Sequence, residues 1–158
     1  MAAPVLTIFN PDTGSEFTTW NVGAVKAGQR STPVLLQIWN NKDNASNISD
    51  LRGCTITTLD VGGGASSDVV AEKWVKVNIP TIDGASAMVS ETAPATAIGG
   101  ETSRALRADG LTADDGDVIK ASGDNNTKYC TIVLYVEVGS NAVPGTKNWK
   151  IRINGFYV

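Results

Sequence analysis

The chain has 158 residues, an apolar fraction of 42% and a formal net charge of −3, enough apolar material for one domain with its own core. That charge argues against nucleic acid and against anionic lipid, both of which call for a basic face. The sequence contains no histidine and only two cysteines. A Ser-His-Asp triad, a Cys-His pair and a four-ligand structural zinc site are therefore excluded.

The dominant pattern is alternation with period two, broken by clusters of Gly, Pro, Asn and Asp, which reads as strands separated by turns. "VLTIF" (5–9) is a first short strand, and "NPDTG" (10–14) a turn. "TTWNVGAV" (18–25) alternates with Trp20 and Val22 on one face. "PVLLQIWN" (33–40) is apolar on both faces, with Val34, Leu36 and Ile38 opposite Leu35 and Trp39. A strand of that kind belongs in a central position covered on both sides. The run Asn40, Asn41, Lys42, Asp43, Asn44 then reads as the loop where this strand leaves the core, because Asn and Asp satisfy their own backbone and tolerate left-handed geometry.

"CTITTLDV" (54–61) follows, with Cys54, Ile56 and Thr58 on one side, and "GGGASS" (62–67) is a flexible connection. "VVAEKWVKVNI" (69–79) alternates, with Val69, Ala71, Val75, Val77 and Ile79 opposed to Glu72, Trp74, Lys76 and Asn78. Residues 81–126 are rich in small residues. They predict irregular loops, one or two short strands and a helical turn near "ETSRALRA" (101–108). "KYCTIVLYVEV" (128–138) puts Cys130, Ile132, Leu134, Val136 and Val138 inward, with Tyr129, Thr131, Val133, Tyr135 and Glu137 outward. "WKIRINGFYV" (149–158) places Trp149, Ile151, Ile153 and Tyr157 on one face. The expected fold is all-β: an immunoglobulin-like β-sandwich of two antiparallel sheets with elaborated loops in the second half. It forms a single domain over 1–158, with residues 1–9 as an N-terminal anchoring strand or arm.

No set of residues carries recognisable catalysis, and no catalytic, cofactor or metal ligands are assigned. Asp109, Asp114, Asp115, Asp117 and Asp124 either bind calcium through clustered oxygens or form a solvated loop; the order of an EF-hand is absent. Cys54 and Cys130 lie on the inward rows of their strands and either bridge the sheets or remain buried thiols. A cytosolic origin favours the thiols. Trp20, Trp39, Trp74 and Trp149 are spread over four predicted strands, which favours core packing or subunit contact over a glycan-stacking groove. Sequons at Asn44, Asn47 and Asn125 carry no weight without a secretory route. The N-terminus has neither a basic region nor a long apolar stretch, so no signal peptide is expected.

Several signatures resemble a known group: the Trp-x-x-Gly and Val-x-Ala-Gly pieces of "TTWNVGAVKAGQRSTPVLLQIWNN", then "EKWVKVNI", "IGG" and "KYCTIVLYVEVGSNAVPGT". Together they resemble small all-β virion proteins of tailed bacteriophages, and also immunoglobulin-like modules of bacterial surface proteins. The resemblance spans most of the chain but consists of strand and turn signatures, which carry fold further than role. It implies a non-enzymatic capsid decoration protein in the virion. The partners would be the major capsid protein or other virion proteins, and copies of itself, with no nucleic acid, membrane or cofactor. A tail, baseplate or head-fibre component and a carbohydrate-binding surface module are the alternatives.

Overall fold

A computed structural model describes residues 1–158. In chain order the elements are β1 (Leu6–Asn10), β2 (Ser15–Glu16), β3 (Val34–Asn40), β4 (Leu51–Leu59), α1 (Asp68–Ala71), β5 (Val75–Asn78), α2 (Pro80–Asp83), β6 (Thr96–Ile98), β7 (Arg104–Ala105), β8 (Val118–Ile119), β9 (Tyr129–Val136) and β10 (Lys150–Phe156). The strands form an all-β sandwich. One sheet has the order β2-β1-β3-β9-β5-β6; the other has the order β10-β4-β7, with β8 also paired to β4. All strand pairs are antiparallel.

The inward rows of β3, β4 and β9 fall where alternation predicts. Leu36, Ile38, Cys54, Ile56, Thr58, Cys130, Ile132 and Leu134 are all essentially inaccessible. They meet Val75, Val77 and Ile98 in one core between the sheets. β3 lies between β1 and β9, and its second apolar row is covered too. Leu35 packs with Ala87, Ala93, Ala95, Val133 and Tyr135, so the 84–95 loop lies over half of the outer face of the larger sheet. Asn78 holds that loop down. Its Nδ2 donates to the carbonyls of Ala85 (3.0 Å) and Pro94 (2.6 Å), and its Oδ1 accepts from the Ala87 amide (3.0 Å). Val133, Tyr135 and Asn78, expected to face outward, are therefore buried.

Four other expectations are corrected. Residues 18–25 keep Trp20 and Val22 against the core but pair with no strand. Alternation records which side is dry; a ladder also needs a neighbouring backbone. Residues 69–79 are not one strand: 68–71 form a helical turn and only Val75–Asn78 pair. Asp68 Oδ1 accepts from the Val69 amide (2.9 Å), and Lys73 reverses the chain at φ 55°. Trp74 is consequently buried instead of facing outward. Gly99 makes room for this turn, because a Cβ there would lie 2.2 Å from the Val70 carbonyl oxygen. Near 101–108 the chain forms the short strand β7, not a helical turn. Arg104 is held there by Asp83 (2.6 Å) and Thr96 (2.6 Å). Finally, a register shift between Asn154 and Phe156 breaks the expected row 149–157. Trp149, Ile151 and Ile153 pack on the core, while Tyr157 is half exposed.

The asparagine run also departs from a simple solvated loop. Asn41, Asn44 and Asn47 do take left-handed backbone, at φ 61°, 58° and 61°. Asn40 and Asn41, however, are buried. Asn40 Nδ2 donates to Ser49 O (3.0 Å) and Ile119 O (3.1 Å), and its Oδ1 accepts from the Val5 amide (3.1 Å). Asn41 Nδ2 donates to Ala45 O (2.9 Å) and Ala121 O (3.1 Å). The two amides join the end of β3 to three separate chain segments. Residues 1–9 are part of this framework: Leu6 to Phe9 pair with β3, and Ala2 bridges Ile48.

Candidate functional site

The titratable side chains do not converge, and no three His, Cys, Asp or Glu residues are grouped so as to hold a metal ion. Four of the five acidic residues of 109–124 make local bonds. Asp109 accepts from the Thr131 amide (3.0 Å) and from the hydroxyls of Thr81 (2.8 Å) and Thr131 (2.5 Å). Asp115 accepts from the amide and hydroxyl of Thr112, and those bonds hold its carboxyl below the usual range. Asp117 pairs with Arg107 at 3.4 Å, Asp124 caps the turn at 125–127, and Asp114 is exposed. Their composition resembles a calcium loop; their placement is that of turn-formers.

Cys54 and Cys130 are both free and buried. Burial pushes the Cys54 thiol up to about 12 and raises that of Cys130 as well. The thiolate is the reactive form, so both should resist a thiol reagent at pH 8 in the native protein and both should react in denaturant. Two fast-reacting groups in native protein would contradict this. Because the folded thiols hold their protons longer than the unfolded ones, their contribution to stability is full below about pH 8.5. It falls as pH rises toward the folded values.

The tryptophans, expected to be dispersed, fall into two groups. On the open half of the larger sheet's outer face, Trp39 sits beside Tyr129 (centroids 4.6 Å apart), and Lys42 Nζ lies 4.4 Å from the Phe9 ring centroid. Gln37 accepts from Trp39 Nε1 (3.0 Å) and fixes the indole. At the end of the sandwich where β9 finishes and β10 begins, Trp20 meets Trp149 edge to face at 5.8 Å. Trp74 is close by, its Nε1 donating to Glu72 (2.9 Å). These three indoles line a cleft of about 840 Å³ between residues 19–27 and 142–149. The grouping arises from pairings between distant segments, which spacing within any one strand does not encode.

A third surface lies at the opposite end. Ser49 donates from its amide to Ala2 O (2.9 Å) and from its hydroxyl to Val158 O (3.2 Å), which brings the first and last residues of the chain together. Met1, Val5, Leu6, Phe156, Tyr157 and Val158 are between 40% and 85% exposed there. They form an apolar end beside the Arg52–Asp50 ion pair (3.5 Å).

Fold and surfaces together define a β-sandwich that presents aromatic and apolar faces. No protein-family model, curated protein or solved structure matches the chain.

Proposed function

We propose that this chain is a non-enzymatic structural protein of a phage virion, attached to the outer capsid lattice as a decoration protein. The carrying observation is the apolar end around Ser49, where Met1, Val5, Tyr157 and Val158 are exposed. Exposed apolar clusters of this kind serve protein contacts. A rigid two-sheet body supports such a role. So does a net charge of −3, which disfavours the packaged genome as partner. A lattice also offers many equivalent neighbours, so weak individual contacts add up to firm attachment. Residues 6–9 belong to the sheet, so the anchoring surface of this reading is the apolar end itself and not a detachable nine-residue arm.

The test uses labelled protein and stripped capsids. Wild type should rebind, and the double variant Val5→Asp/Tyr157→Asp should lose at least about tenfold in affinity with an unchanged melting temperature, since both sites are exposed. Label confined to the tail tip, baseplate or head fibres would move the assignment to those structures. The Trp39–Tyr129 ledge, with Gln37 beside it, favours a carbohydrate-binding surface module as the second reading. Binding of the isolated protein to host-wall polysaccharide, lost in Trp39→Ala, would select it.

A further inference from the structure

The cleft at the Trp20–Trp149 end has two properties that the proposed function does not use. The first is unpaired backbone. Thr19 to Val25 and Val143 to Trp149 form its walls, yet neither stretch makes any backbone–backbone hydrogen bond. In the first stretch only the Gly23 amide has a partner, the side chain of its neighbour Asn21 (3.1 Å). Main-chain groups in this state are satisfied by water or by an added strand.

The second property is the sign of the charge. Lys26 and Lys147 line the cleft, and no carboxylate does. A smaller hollow of about 500 Å³ continues past the tryptophan pair and adds Lys150, again without an acid. Two carboxylates behind the lining are engaged: Asp68 holds Lys147 at 2.6 Å, and Glu72 accepts from Trp74. Lys26 and Lys150 are exposed and have no ion-pair partner. On a chain with a net negative charge, this is a local cationic groove with an apolar floor of Val22, Val136 and Val138.

We propose that this groove binds an extended, acidic polypeptide segment of a partner protein. The segment adds as a strand along the unpaired backbone, with alternate apolar side chains on the tryptophan floor and its carboxylates toward Lys26 and Lys150. Main-chain hydrogen bonds supply attachment, and the lysines select the sign of the ligand's charge. The inference does not depend on attachment to a capsid, which involves the opposite end of the molecule.

The probe is a capped hexapeptide of alternating glutamate and valine, titrated against the whole protein with tryptophan fluorescence as the signal. It should bind at least tenfold more tightly than the lysine–valine counterpart, and binding should weaken with salt. Methylation of alternate backbone nitrogens should abolish it. The surface variant Lys26→Glu/Lys150→Glu should fold normally and reverse the charge preference. Absence of any fluorescence response, equal binding of both peptides, or full binding by the methylated peptide would each overturn the proposal. Because Val5 and Tyr157 are left intact, loss of peptide binding in the lysine variant alongside intact capsid binding separates the two surfaces.

Discussion

Replacing Asn40 with alanine should lower stability by about 3–6 kcal/mol, since a buried polar group stripped of its partner costs about 1–3 kcal/mol. Two buried carbonyls, those of Ser49 and Ile119, lose this donor at once, and the part-buried Val5 amide loses its acceptor. Asn40 itself has no exposed surface, so water does not readily replace it. Asn40→Asp keeps the size but removes the two donors, setting a carboxylate against two carbonyl oxygens, and should be at least as damaging at pH 7. Urea unfolding measures both. A loss below about 1 kcal/mol for either variant would mean that the amide is dispensable and that the segments it joins are held by other contacts.

Leu134→Ala should cost about 2–5 kcal/mol, the range for emptying a fully buried leucine site. Leu134 is at 0% exposure and lies on β9, with Val34 on one side and Val77 on the other. β9 is itself the middle of the six-stranded sheet, so neighbours on both flanks limit collapse into the cavity. For a chain of this length, each kcal/mol corresponds to about 2–4 °C in melting temperature. The expected shift is therefore about 4–20 °C. A melting temperature that hardly moves would show that the row Cys130, Ile132, Leu134, Val136 does not face the core.

The long central strands were legible because a single property, alternate burial, is written directly into residues 34–40, 54–58 and 129–136. Residues 69–74 were misread because Val69, Val70 and Trp74 are all dry, and a short helical turn can bury them as well as a strand can. The outer row of β9 was misread for a different reason: its cover comes from the 84–95 loop, which few large apolar residues mark and which Asn78 secures. Polar residues gave the weakest signal. Asn40 and Asn78 look like solvent-seeking residues, but an amide that both donates and accepts can end up as a buried joint. The two tryptophan groups were not legible at all, since Trp20 and Trp149 meet only after distant segments have docked.

The ends of the two sheets bear on how the protein behaves when crowded. The terminal strands of the larger sheet have two and three residues, β2 and β6, and one border of the smaller sheet is the two-residue β7. The remaining border, β10, has seven residues, carries the charged side chains of Lys150 and Arg152, and loses register near Gly155. The long strands β3, β4 and β9 all lie inside. Short, charged or interrupted borders give a second copy little to zip onto. Edge-to-edge pairing between copies is disfavoured at these borders, and encounters with other molecules fall to side-chain surfaces and to the groove at the Trp20–Trp149 end.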